Sequence, residues 1–167
     1  MRELCSGASI DQWGLALITV GLRVSPSEVT YALLNAEERD VVDVDRIVVP
    51  TAMDWPAALK YVRSNLLDIL REYQVSTAGI RLAENNARTP STLRVHLEGV
   101  IQEAFASSTL KGYFAGAIPA MAARLGLSIA DLKPIIAGKN VFEVEDWEKL
   151  SEKEREALLA AMVACNV

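Results

Sequence analysis

Apolar residues are concentrated in two adjacent segments near the start of the chain, Leu15–Val24 and Val29–Asn35. Both are rich in the branched and aromatic residues that suit a pleated sheet, and the turn Ser25-Pro26-Ser27 separates them, so they predict an antiparallel hairpin. The first segment is apolar on both faces as far as Gly21. Because a strand with two apolar faces must be covered on both sides, this segment is predicted to be the central strand.

Three further segments complete the predicted sheet. Val44–Val49 predicts a third strand, joined to the hairpin by a charged turn at residues 37–40, and Val75–Leu82 and Lys111–Ile118 predict the fourth and fifth strands. The fourth strand follows a helix, and a right-handed strand–helix–strand crossover brings it parallel to the first strand and beside it.

Helical spacing and capping residues predict helices between and after these strands. Asp54 is a good N-cap for a helix that ends near Tyr73, and the capping box Ser151-Glu152-Lys153-Glu154 begins a last helix that ends near Cys165. Small alanines on the last helix allow it to approach the sheet closely. The other predicted helices are Thr92–Ser107, Pro119–Leu125 and a short one that begins at Ser128 and is limited by Pro134.

The predicted fold class follows from this order of elements. Three antiparallel strands followed by strands parallel to the first give an α/β fold, with a mixed five-stranded sheet in the order 3-2-1-4-5 and helices on both faces. The length of 167 residues and the hydrophobic fraction of 51% predict a single packed domain over residues 15–167, preceded by a lead-in segment at 1–14.

Composition narrows the classes of function. The net charge of −5 does not favour non-specific binding to nucleic acid, although a local basic patch would be compatible with it. Cys5 and Cys165 are interpreted as reduced thiols of a cytoplasmic protein. No apolar run reaches the roughly 18 to 20 residues that span a bilayer, so no membrane association is predicted. The lone His96 is interpreted as a half-buried packing residue rather than a metal ligand.

Known cofactor and nucleophile motifs are missing from the sequence. It contains no phosphate-binding glycine loop, no dinucleotide fingerprint and no nucleophile elbow, and it has no Cys-x-x-Cys pair or histidine cluster for zinc. No cofactor and no metal are therefore predicted.

Several short motifs occur in an order that resembles a known superfamily. Val20-Gly21-Leu22-Arg23 precedes the first turn, Gly79-Ile80-Arg81-Leu82 lies in the fourth predicted strand, and His96-Leu97-Glu98-Gly99-Val100-Ile101 lies in the next helix. With Asn86-Ala87-Arg88 and Glu156-Ala157-Leu158, they are similar to the RuvC-like branch of the ribonuclease H-like superfamily, including short, uncharacterised bacterial RuvC-like proteins. The resemblance implies a ribonuclease H-like fold and a nuclease that holds two Mg²⁺ ions between clustered carboxylates.

The positions implied to bind metal are altered in this sequence. By resemblance, the first two carboxylates would stand where the chain has Arg23 and Arg81, and the final acidic pair would fall near Lys153 and Glu156. A guanidinium group has no acceptor atom and stays protonated, so it cannot be a metal ligand. The sequence therefore leans away from an enzyme and towards a non-catalytic binding or assembly module.

An alternative enzyme and two roles for the arginines stay open. Glu84, Glu98 and Glu156 could rebuild a metal site, which would make the chain a divergent metal-dependent nuclease or resolvase-like enzyme acting on nucleic acid. The carboxyl end of a parallel sheet is where ligands usually bind, so one role for the arginines is to grip an anion there. In the other role, each arginine forms a structural ion pair with Glu84, Glu98 or Glu156. The anion-gripping arginines would be Arg23, Arg81 and Arg88.

The expected partner is an unknown protein or an anionic ligand. Leu110–Ala123 is unusually apolar and rich in glycine for a predicted edge strand and its attached helix. An exposed apolar edge needs cover, which a second copy of the chain would supply. We therefore expect a homodimer, which light scattering would detect.

Overall fold

The computed structural model describes residues 17–84 and 91–167. The lead-in segment 1–14 and two residues singled out above, Cys5 and Arg88, lie outside the described residues. The strands are β1 (Ile18–Val24), β2 (Glu28–Asn35), β3 (Asp40–Val48), β4 (Thr77–Arg81) and β5 (Gly112–Gly116). The helices are α1 (Trp55–Glu72), α2 (Thr92–Ala106), α3 (Ile118–Arg124), α4 (Ile129–Ile136), the 3-10 helix η1 (Trp147–Lys149) and α5 (Glu152–Ala164).

The five strands form one mixed sheet in the spatial order β3-β2-β1-β4-β5, which confirms the predicted order. β1 pairs antiparallel with β2 and parallel with β4, β2 pairs antiparallel with β3, and β4 pairs parallel with β5. The strand with two apolar faces is therefore central, as expected from burial on both sides. In the described part of the chain, no helix is both long and apolar enough to cross a membrane.

A separate core lies on each face of the sheet. Val20, Leu22 and Val24 of β1 are fully buried in the core that α1 and α2 cover. The opposite face packs against α5, which α3 and α4 cover in turn, and here Trp147 is the largest fully buried side chain. α5 has buried residues on all sides because it lies between the sheet and this outer layer. This arrangement confirms the prediction of helices on both faces.

The boundaries of β3 and α4 are among those that the structure corrects. β3 begins at Asp40 instead of Val44, because the turn at 36–39 is short and the strand continues past an irregularity in its pairing with Leu33 and Leu34. An edge strand with one solvent face accommodates the aspartates of this segment. α4 continues through Pro134 to Ile136, because burial of Leu132 and Ile135 outweighs the missing backbone donor.

Two glycines determine how closely α5 approaches the sheet. Gly21 of β1 and Gly79 of β4 are register partners. A Cβ atom at Gly21 would overlap the backbone carbonyl oxygen of Ala157, and one at Gly79 would overlap that of Ala160. The helix backbone therefore rests directly on the strand backbone, and only glycine permits this approach. The predicted close approach of the last helix is found, with glycines on the sheet facing alanines on the helix.

Candidate functional site

The two arginines lie side by side at the carboxyl ends of the two central parallel strands. Arg23 of β1 is the register partner of Arg81 of β4. They follow Gly21 and Gly79 by two residues, and side chains alternate along a strand, so both arginines lie on the face that α5 covers. The contact between the glycines and α5 places Glu156, at the start of that helix, above both guanidinium groups.

Glu156 is shared by the two arginines. Arg23 Nε donates a hydrogen bond to Glu156 Oε2, and Arg81 Nε lies 3.5 Å from the same oxygen. A second carboxylate, that of Glu84, lies 3.7 Å from Arg81 Nη2. The side chains of Arg23, Glu156 and Arg81 are only 16%, 13% and 10% exposed, so this network is largely shielded from water.

Arg81 is the least satisfied member of the network. Its Nε atom is buried and has no hydrogen-bond partner within residues 17–84 and 91–167, because its nearest carboxylate there is in ion-pair contact without hydrogen-bonding geometry. Burial lowers the pKa of Arg81, the charge of Glu156 opposes that shift, and the charges of Arg23 and Arg94 add to it. The group keeps its proton, since a guanidinium is protonated at any ordinary pH.

Glu98 belongs to a neighbouring ion pair. Its Oε1 atom accepts hydrogen bonds from the backbone N–H of Ala83 at 2.9 Å and from Arg94 Nε at 2.8 Å. The structure thus brings Arg23, Arg81 and two of the three candidate glutamates together and places Glu98 beside them. Sequence reasoning missed Arg94, although its spacing of four residues from Glu98 on a helix is a recognised signal for a pair.

An open pocket of about 510 Å³ adjoins the network. Arg81, Glu84 and Glu156 line one side of it, and residues of α3, α4 and the first turn of α5 line the other. No sequence pattern indicates this pocket, because its second wall comes from helices whose packing depends on contacts distant in the chain. The second wall consists of Ile118, Pro119, Ile129, Lys133, Ile136 and Glu152.

Comparison with solved structures shows the fold. The Thermus thermophilus RuvC structure is similar with a TM-score of 0.66 at 10% identity, over 88% of this chain and 92% of that chain. The fold is ribonuclease H-like. T. thermophilus RuvC in complex with Holliday junction substrate gives a TM-score of 0.62 at 9% identity, over 88% of this chain and 91% of that chain. No protein-family model and no curated protein matches the sequence.

The residues at this edge of the ribonuclease H-like sheet do not fit the Mg²⁺ pair that the resemblance implies. Mg²⁺ requires several oxygen ligands, and the carboxylate of Glu156 already faces two cations. Within residues 17–84 and 91–167, no three His, Cys, Asp or Glu residues are grouped so that they could hold a metal ion. His96 lies on α2, and its ring is edge-on to the ring of Trp55 with 5.3 Å between the ring centroids. His96 is exposed, so the expectation of a half-buried side chain was wrong.

Lys153, at the other position implied for the final acidic pair, also carries an ion pair. Its Nζ atom lies 2.6 Å from Glu28 Oε1, and Arg46 lies 3.5 Å from the other carboxylate oxygen of Glu28. The hydrogen bond from Lys153 is the main reason that the pKa of Glu28 is lowered, against the effect of burial. Glu28 begins β2 beside the carboxyl end of β1, so this second ion pair lies at the same edge of the ribonuclease H-like sheet as the arginine network.

Proposed function

We propose that this chain is a non-catalytic binding or assembly module built on a RuvC-like domain. The observation that carries the proposal is the shared use of Glu156 by Arg23 and Arg81. At the edge of the sheet where the resemblance implies metal-binding carboxylates, the chain has a network of ion pairs. An anion-binding role for the arginines is part of this proposal.

Electrostatics supports the absence of metal-dependent chemistry. A divalent cation placed near Glu156 would lie within a few ångströms of two guanidinium groups that cannot lose their protons. In a partly shielded site, each such contact opposes the ion by several kcal/mol, at about 4 kcal/mol for unit charges 4 Å apart. One available carboxylate does not compensate for two cations.

The alternative, a divergent metal-dependent nuclease, would require the three candidate glutamates to converge. Glu98 is held by the backbone N–H of Ala83 and by Arg94, and Glu84 accepts a hydrogen bond from the backbone N–H of Ile118 at 3.1 Å. Both carboxylates would have to leave these partners to share an ion with Glu156. The observed geometry therefore favours the binding module.

A cleavage assay separates the two functions. We expect no cleavage of junction, duplex or single-stranded DNA when the protein is incubated with Mg²⁺ or Mn²⁺. The Glu156→Ala variant, prepared in parallel, distinguishes cleavage by this site from a contaminating nuclease. Metal-dependent cleavage by the native protein that disappears in Glu156→Ala would overturn the proposal and establish the nuclease.

The proposed setting is the cytoplasm of a bacterium, with the chain acting as a homodimer. β5 lies at the edge of the sheet and Tyr113 on it is 46% exposed, which supports pairing at this edge with a second copy. A monomer mass by light scattering at high protein concentration would contradict the dimer.

A further inference from the structure

A buried cation, Arg81, faces the pocket beside the arginine network, and one of its donors is unsatisfied. Arg81 lines the pocket, its side chain is nine-tenths buried, and its Nε atom has no hydrogen-bond partner among the described residues. Its two carboxylate neighbours lie at 3.5 and 3.7 Å, beyond the distances of strong charge-assisted hydrogen bonds. A guanidinium group has five N–H donors, and buried donors in folded proteins are nearly always hydrogen-bonded. An unsatisfied donor of Arg81 therefore suggests an acceptor that is not one of the protein's own side chains.

The neighbouring charges do not supply that partner. Arg23 satisfies Glu156 with a direct hydrogen bond, and Arg94 satisfies Glu98 in the same way. Glu84 directs one oxygen to the backbone N–H of Ile118, so its contact with Arg81 is secondary. Among the described residues, no third carboxylate forms an ion pair with Arg81.

The opposite wall of the pocket is mostly apolar and carries one basic and one acidic residue, Lys133 and Glu152. The isoleucines of α3 and α4 form this wall, and Ile129 is 43% exposed although it is strongly hydrophobic. Lys133 lies on the same wall and is exposed, and it has no ion pair within the described parts of the chain. A pocket of about 510 Å³ with one apolar wall and a few convergent polar groups is typical of small-molecule sites.

We propose that this pocket binds a small amphipathic oxyanion, whose carboxylate or phosphate lies against Arg81 and whose apolar body lies against Ile118, Ile129 and Ile136. The proposal rests on the proposed function, because a metal-free site is required. It deepens that function by naming the chemical class of the ligand. The oxyanion would accept hydrogen bonds from the guanidinium group of Arg81, and Lys133 would lie on its outer side.

The test uses three probes with the full chain: octanoate, phenyl phosphate and inorganic phosphate. Octanoate and phenyl phosphate share the oxyanion and apolar body but differ in the acid, so together they distinguish a carboxylate ligand from a phosphate ester. We expect at least one of them to bind with a Kd of about 1 mM or tighter in titration calorimetry. Binding should also raise the Tm in proportion to ligand concentration, and inorganic phosphate should bind at least about tenfold more weakly.

Three variants locate the binding. Arg81→Met should weaken binding of the organic probes by about tenfold to a hundredfold, because hydrogen bonds to a charged group contribute that much to affinity. Ile129→Glu leaves the buried core untouched and should also weaken it, whereas Glu84→Gln removes a competing charge and should strengthen it. Val95→Glu is the matched control for Ile129→Glu, since Val95 is 48% exposed on α2 and outside the pocket.

Several results would overturn the inference. One is failure of both organic probes to bind, another is equal affinity for inorganic phosphate, and a third is equal loss of binding in Val95→Glu and Ile129→Glu. If Arg81→Met does not fold, the inference is still tested by the other two variants, because Ile129→Glu should weaken probe binding and Glu84→Gln should strengthen it. Cleavage of DNA in the metal assay would refute the proposed function, whereas absence of probe binding without cleavage would refute only this ligand class.

Discussion

Two pairs of residues on one face of the sheet, only two positions apart on β1 and β4, meet α5 in different ways. Gly21 and Gly79 contact the helix backbone so closely that no side chain fits between. Arg23 and Arg81 meet it through long side chains that share one carboxylate, and in the part of the chain that the structure describes one buried donor of Arg81 has no acceptor. The first pair is determined by steric fit and the second by charge.

The difference shows how a packing contact can position a polar site. The glycines permit a single distance and rotation of α5, and that placement puts Glu156 over the arginines. The arginines meet α5 through rotatable side chains, whereas the glycine contact joins two backbones that cannot adjust separately. We therefore expect substitutions to become less destabilising with distance from the glycine contact.

The largest effect is expected for Gly21→Ala. Its new methyl group would overlap the backbone of Ala157, and neither backbone can yield without moving α5. Urea denaturation should show a loss of more than about 3 kcal/mol in the free energy of unfolding, or no folded protein at all. Gly99→Ala is the matched control, because a Cβ atom at Gly99 in α2 has no neighbour within 4 Å. It should stabilise the protein by about 0.5 to 1 kcal/mol, and equal destabilisation by both variants would contradict the close contact.

A smaller loss is expected for Glu156→Gln. This change keeps the shape of the side chain but leaves Arg23 and Arg81 without their shared counter-charge in a largely buried setting. The free energy of unfolding should fall by about 2 to 4 kcal/mol. Glu103→Gln removes the same charge from the ion pair of Glu103 with Arg63, whose side chains are 52% and 36% exposed respectively, and should cause a much smaller loss because water screens the pair. Similar losses in the two variants would show that the Glu156 network contributes no more than a surface pair.

The same contrast explains what could be predicted from the sequence. The central strand, the strand order and helices on both faces follow from local patterns, and those predictions are confirmed. Neighbouring positions for Arg23 and Arg81 also followed, because parallel pairing of their strands was predicted. The choice among three glutamates could not be made, because it depends on the rotation of α5. That rotation is set by Gly21 and Gly79 against residues more than 75 positions away, and no local pattern reports such a contact.

The smallest effect is expected for Lys153→Met, at the ion pair with Glu28. The side chain of Lys153 is 44% exposed, so its loss should lower the free energy of unfolding at neutral pH by no more than about 1 kcal/mol. The contribution of this ion pair to the free energy of unfolding depends on pH, which makes it measurable although it is small. The pKa of Glu28 is lowered in the folded protein from its ordinary value of 4.5, first by the hydrogen bond from Lys153.

A carboxyl group with a lowered folded pKa stabilises the protein above its unfolded pKa, and that stabilisation disappears as the pH falls through the folded value. The native protein should therefore lose stability below pH 4.5 more steeply than Lys153→Met does. Urea denaturation at pH 7 and at about pH 3, for native protein, Lys153→Met, Glu28→Gln and the double variant, measures this difference. Glu28→Gln removes the titrating group, so the double variant should have the same slope as Glu28→Gln alone. If acid destabilises Lys153→Met as steeply as the native protein, the bond between Lys153 and Glu28 does not contribute to stability.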